Sequence, residues 1–221
     1  MIKGVIFDID GVILDSMSIW NDLGARYLKS IGKKPEKGLN NILFSMSMEQ
    51  GDDYLKDRYD IDKPTVDILN GISLMLQNYY FDEVLAKPGV VELLGFLKGK
   101  GIQITAATSS PRIHVETALG RNNILSFFDS IYTTGEIGIS KHEPDIYNKA
   151  AECMKLNTGE VIVVEDSLYA LKTAKKAGYI SVGVYDRDGE TDQRGVEEVS
   201  DLYAMEIKDI ISNWDKLNEG R

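Results

Sequence analysis

The sequence has a single cysteine, Cys153, among 221 residues. One cysteine cannot close an internal disulfide, so covalent staples are excluded and a reducing cytoplasm is the expected setting. Cys153 falls in a helix-like stretch and reads as a small buried hydrophobe. Positive charge is also short: 25 Lys and Arg stand against 35 Asp and Glu, a net charge of −10. That balance argues against duplex nucleic acid or an anionic membrane as the main partner. No apolar run approaches the roughly 20 residues needed to span a bilayer. The N-terminus has one lysine and a short apolar strand followed by acids, which does not read as a signal peptide. Internal repeats and low-complexity tracts are missing as well.

What remains is the composition of an ordinary soluble globular protein, 43% hydrophobic and 27% charged, long enough for one ample core or a core with an inserted lobe. The most informative stretch is Val5-Ile6-Phe7-Asp8-Ile9-Asp10-Gly11-Val12. Val5 to Phe7 read as a strand buried on both faces. Residues two apart on a strand project to one side, so Asp8 and Asp10 are expected to face one place at its carboxyl end. Gly11 lets the backbone turn away. Two aspartates that repel each other and lose water call for a compensating positive charge, usually a divalent cation. Plain turn chemistry gives the same residues, however.

Beyond this strand, Ser16 reads as a helix N-cap. Ile19, Trp20, Leu23, Tyr27, Leu28 and Ile31 follow at helical spacing and Gly32 stops them. Helical patterns continue over about 49–59 and 65–80, with no convincing strand before residue 86. Past the Pro88-Gly89 turn, strands and helices alternate. Strands are expected at 102–107, 130–133, 161–164 and 180–184. Helices are expected at 90–97, 111–119, 145–155, 167–177 and 207–214. Alternation of this kind means a parallel, doubly wound sheet. The predicted organisation is a Rossmann-like α/β core of residues 1–15 and 87–221, with an all-helical lobe, 16–86, inserted after the first strand.

In such sheets ligands bind beyond the carboxyl ends of the strands. The second strand ends in Thr108-Ser109-Ser110, where a hydroxyl and backbone N–H groups at a helix start can hold an anion or simply cap the helix. Lys141 and His142 lie in a loop after the third strand. A loop lysine is usually a solvated charge, and a histidine between charged neighbours is usually solvated too. The fourth strand runs directly into Glu165-Asp166-Ser167, where carboxylates are costly unless paired. Four carboxylates and a lysine on one rim form a hard-oxygen cage suited to Mg²⁺, with Thr108 and Lys141 placed to hold a phosphoryl group.

Taken in order, these segments resemble the haloacid dehalogenase superfamily. Asp8-Ile9-Asp10-Gly11 resembles its first motif and Thr108-Ser109 its second. Lys141 with Pro144-Asp145 resembles the third, and Glu165-Asp166-Ser167 the fourth. The helical insert is similar to the cap of the β-phosphoglucomutase-like subgroup. The resemblance implies a mobile cap closing over a small phosphorylated metabolite, and a Mg²⁺-dependent phosphatase working through an aspartyl-phosphate. It assigns Asp8 as nucleophile and Asp10 as general acid and base. Thr108, Ser109, Lys141 and the hinge residue Ser16 would bind or flank the phosphoryl group, and Asp8, Asp10, Asp166 and Glu165 would hold the metal. Asp10 argues against dehalogenation, because dehalogenases of this group lack it. The expected protein is cytoplasmic, a monomer or weak homo-oligomer.

The rival reading is a mutase of β-glucose 1-phosphate. Such mutases carry a cap arginine in a Val-Ser-Arg-Glu-like segment, set here beside Met46-Ser47-Met48-Glu49. Methionine cannot offer the donor fork of an arginine. His142 also stands where the family often has proline, and Ala170 where many relatives have glycine. An inactive phosphate-sensing protein is the third reading, though every expected catalytic group is present.

Overall fold

The apolar run at the N-terminus forms β1 (Gly4–Phe7), buried along its whole length, in a computed structural model that describes residues 1–43, 46 and 48–219. Helices α1 (Ser18–Ser30), α2 (Leu39–Leu43), α3 (Met48–Tyr59) and α4 (Thr65–Asn78) follow. Then come α5 (Val90–Gly99), β2 (Gln103–Thr108), α6 (Arg112–Arg121), β3 (Ser130–Thr133) and α7 (Thr134–Ile137). The chain goes on through α8 (Asp145–Met154), β4 (Val161–Glu165), α9 (Leu168–Lys176) and β5 (Ile180–Val184). It ends in α10 (Gln193–Val199), β6 (Leu202–Ala204), α11 (Asp209–Ser212) and α12 (Trp214–Glu219).

Two compact units result, 1–16 with 84–221, and 17–83. In the first, six strands form one sheet in the order β3-β2-β1-β4-β5-β6. Every pairing is parallel. Helices cover a parallel sheet on both faces, which is why its central strands β1 and β4 read as near-continuous apolar runs. β1 lies between β2 and β4, with Phe7 beside Ala106 and Val164. The carboxyl ends of these three strands therefore converge, and the order reverses at β1, the place where such sheets bind ligands.

The second unit is all helical. The face of α1 that carries Ile19, Leu23, Tyr27 and Leu28 is buried. α1 packs on α2 and α4, and α3 on α4. Tyr27 lies so close to Gly71 that a Cβ there would sit 2.7 Å from its ring. Arg26 pairs with Asp22 and Glu83.

Several sequence expectations change. β6 and α10 were not foreseen; β6 is only three residues long and half-exposed on the sheet edge, too short for alternation to register. The single terminal helix expected at 207–214 is two short ones, α11 and α12. Cys153 is exposed rather than buried, on the outer face of α8. Ser16 caps no helix: α1 begins two residues later behind Met17, and the Ser16 hydroxyl donates to Asp10 instead. Ser47 and the side chains of Met48 and Glu49, on which the mutase comparison turns, lie outside the described residues. No helix among the described residues is long and apolar enough to cross a membrane.

Candidate active site

β1 delivers Asp8 to the rim, its N–H still donating to the Val164 carbonyl at 2.9 Å. The chain then turns sharply. The Gly11 N–H donates to the Leu14 carbonyl, and Gly11 has φ +73°, a conformation that glycine reaches without the strain of a side chain. β4 delivers Glu165 and Asp166 beside Asp8. Among the described residues these three acids form a cluster, each offering an oxygen within 4.8 Å of the others'.

Lys141 is drawn into the cluster from the loop before α8. Its Nζ lies 2.6 Å from Asp8 Oδ1 and 2.8 Å from Glu165 Oε1, and the residue is 2% exposed. A lysine so buried must be paired. Burial alone would lower its pKa, yet the charges of Asp8 and Glu165 outweigh that and hold it above the ordinary lysine value. Glu165 is fully buried and also accepts a hydrogen bond from the Tyr147 hydroxyl at 2.7 Å. Burial, then the Glu165 charge, push Asp8 up to about 8 against the pull of Lys141. Burial, then the Asp8 charge, push Asp166 up to about 7. Burial raises Glu165 as well. One lysine does not neutralise three buried carboxyls.

The cluster fits a divalent cation. All donors are hard carboxylate oxygens. Glu165 Oε2 and Asp166 Oδ2 are buried with no hydrogen-bond partner, an expensive arrangement unless a cation completes it. Backbone presses on the same atom from the loop after β5: a Cβ placed on Gly189 would lie 2.8 Å from Asp166 Oδ2 and 3.2 Å from Asp186 Cβ.

Asp10 is oriented differently. Its Oδ1 accepts the Ser16 hydroxyl and its Oδ2 the Ser110 hydroxyl, each at 2.6 Å. Its side chain is not part of the three-acid cluster. Thr108 is buried at the end of β2 and its Oγ1 accepts the Ser110 N–H at 3.1 Å. Ser109 lies exposed beside it. The structure thus brings Asp8, Lys141, Glu165 and Asp166 together and ties Asp10 to Ser16. Thr108 joins through Ser110, and no contact with the cluster places Ser109 in it.

Sequence reasoning missed four residues. Ser110 reads from the sequence only as the last residue before a helix start. Tyr147 reads as a core position of α8, which it is, and only its hydroxyl reaches the acids. Lys87 and Asp186 form a largely buried pair at 2.7 Å; the Asp186 charge also helps to raise Asp166. No local signal singles these out, because each meets its partner across long sequence separations.

The chain is 27% identical over 176 residues to a "Phosphorylated carbohydrates phosphatase" of Thermotoga maritima, covering 80% of this chain and 82% of that one. It is 27% identical over 234 residues to a "Glyceraldehyde 3-phosphate phosphatase" of Methanocaldococcus jannaschii, covering 98% and 100%. Its fold matches the crystal structure of a candidate beta-phosphoglucomutase from Thermotoga maritima with a TM-score of 0.87 and 24% identity, over 97% and 99% of the two chains. A family profile described as haloacid dehalogenase-like hydrolase matches residues 2–178. On that match over most of its length, the chain belongs to the haloacid dehalogenase-like hydrolases.

Proposed function

We propose that this protein is a cytoplasmic, Mg²⁺-dependent phosphatase that hydrolyses a small phosphorylated carbohydrate through an aspartyl-phosphate on Asp8. The observation that carries the reading is Lys141, fixed within 3 Å of both Asp8 and Glu165, beside buried carboxylate oxygens that lack a partner. The names of the two curated relatives support the substrate class.

Asp8, Glu165 and Asp166 would hold the cation. When bound, it offsets the repulsion between the carboxylates and the phosphoryl oxygens and orients both. Asp8 attacks phosphorus in line: an Asp8 oxygen–phosphorus bond forms and the bond to the sugar oxygen breaks. Asp10 gives its proton to that leaving oxygen. Asp10 then takes a proton from a water that attacks phosphorus, which releases inorganic phosphate and restores Asp8. Ser16 and Ser110 hold the two Asp10 oxygens, limiting where its proton can be delivered. Lys141 would place positive charge beside Asp8 and the phosphoryl group, and the Thr108 hydroxyl and Ser109 N–H would bind phosphoryl oxygens.

The test is phosphate release across a panel of phosphorylated sugars and nucleotides. Release is expected with Mg²⁺ and is expected to stop with EDTA. Rapid formation of glucose 6-phosphate from β-glucose 1-phosphate and its bisphosphate activator, with little free phosphate, would make the protein a mutase. No turnover on any ester would leave the phosphate-sensing reading.

Gly189→Ala probes the metal site separately. The added methyl meets Asp166 Oδ2 at 2.8 Å, and a carboxylate on so short a stem can yield only by moving as a ligand. Mg²⁺ affinity is expected to fall about tenfold, as when the groups supporting a ligand are disturbed, while the metal-free melting temperature stays close to the parent value. Unchanged affinity by calorimetric titration would remove Asp166 from the ligand set.

A further inference from the structure

The side chain of Lys141 is held by two acids, but its backbone lies in a loop, Ser140 to Pro144, that no strand or helix contains. What holds that loop is on α9. The ring of His142, the residue after the lysine, stacks on Tyr169, with centroids 4.4 Å apart and planes 29° from parallel. Thr173, one turn further along α9, has its hydroxyl 3.3 Å from the His142 carbonyl and 3.0 Å from the Tyr169 carbonyl. Tyr169 and Thr173 are four apart and so lie on one helix face. Within the loop, the His142 N–H donates to Ser140 Oγ at 3.4 Å and the Glu143 N–H to the Ser140 carbonyl at 3.1 Å.

α9 does not need these contacts to stay in place, because Ala170, Leu171 and Ala174 bury a different face. The stack therefore has another consequence. α9 starts directly after Asp166-Ser167, so whatever is fixed to its first turns is fixed relative to the acids. The Tyr169 hydroxyl feels their charges: burial, then Glu165, raise it. A lysine on a flexible four-carbon stem can keep an ion pair while its backbone drifts. Once a phosphoryl group competes for the amine, its ion pairs alone no longer fix it, and the backbone anchor helps to decide where it stays.

We propose that His142 and Tyr169, with Thr173, form a clamp that fixes the Lys141 loop to α9 and so sets where the Lys141 amine stands against Asp8. They are positioning residues for the phosphoryl transfer proposed above, and the inference rests on that reading. Errors of about 1 Å at a reacting group lower rates by up to about a hundredfold. Release of one loop contact is expected to lower kcat about tenfold.

The experiment compares His142→Ala, Tyr169→Ala, the double alanine variant, His142→Phe and Tyr169→Phe. The readouts are turnover of an aryl phosphate with Mg²⁺ and amide hydrogen exchange over residues 138–144. Each alanine variant is expected to lose about tenfold in kcat with a much smaller change in KM, and the double variant no more than the worse single one. The phenylalanine variants keep a stackable ring and are expected to stay within about twofold of the parent. Loop exchange should quicken in the alanine variants and not in the phenylalanine ones. Phenylalanine variants as slow as alanine ones, additive losses, or a loss confined to KM would overturn the clamp. If the parent protein turned over no phosphate ester, the functional reading would fall, and the exchange contrast alone would decide whether the stack holds the loop.

Discussion

Asp8→Asn is expected to lower phosphate release by about a thousandfold or more, since an amide cannot accept the phosphoryl group and loss of a nucleophile removes most of an enzyme's advantage. The same variant should be at least as stable as the parent in chelator at pH 8. Asp8 sits in the folded chain with its carboxyl pushed up to about 8, by burial first and then by Glu165. Between the ordinary carboxylate range and that value the folded chain holds a proton that the unfolded chain has released. Stability therefore falls as pH rises from about 4 to about 8. Asparagine removes this ionisation and should flatten that part of the profile, although Asp166, raised for similar reasons, will keep some slope. The measurement is a melting temperature against pH for both proteins with EDTA, beside single-turnover phosphate release with Mg²⁺. A variant that keeps a tenth of the parent rate would rule out the aspartyl-phosphate route. One that loses the rate together with most of its stability would show that Asp8 serves the fold, not the reaction.

This opposition explains why part of the site was legible in the sequence. Carboxylates placed straight after buried apolar runs, as at Asp8 and at Glu165-Asp166, violate the local rule that charge stays out of cores, and a violation inside a regular pattern stands out. The strands that carry them were equally plain, because β1 and β4 are apolar up to the carboxylates. Lys141 was different. Nothing in Ser140-Lys141-His142 separates a buried lysine from a solvated one, and only its order among the other motifs marked it. Ser16 and Ser110 lie 94 residues apart yet grip the same Asp10 carboxylate, and serines before a helix look like caps in any sequence. His142 read as solvated because its partner, Tyr169, is 27 positions away. The meetings of Ser16 and Ser110 with Asp10, and of His142 with Tyr169, left no local mark, whereas local conflict did.

Lys141→Ala is expected to damage both activity and stability, and the two effects should separate with pH. The parent lysine touches two acids, one of them fully buried, at 2.6 and 2.8 Å. Removing one partner of a buried pair leaves charge with no compensation, at a cost of about 3–5 kcal/mol. Glu165 would keep its hydrogen bond from Tyr147, but Asp8, Glu165 and Asp166 would face one another without a counter-charge. Carboxyls already raised would rise further and take up protons. The destabilisation should thus be large at pH 8, where ionisation is forced on them, and small near pH 5, where they can be neutral. Mg²⁺ should recover part of the pH 8 loss, because it supplies charge at the same place. Activity should not recover with it: about a hundredfold or more in kcat is expected to be gone, as when a fixed positive group beside a developing charge is removed. Lys141→Arg is the sharper control. It keeps the charge, but a planar fork cannot replace a compact ammonium between two oxygens this close, so stability should largely return while the rate does not. If Lys141→Ala melted with the parent at pH 8 in chelator, the buried pairing would be energetically idle. If it also kept more than a tenth of the parent rate with Mg²⁺, Lys141 would have no part in the reaction.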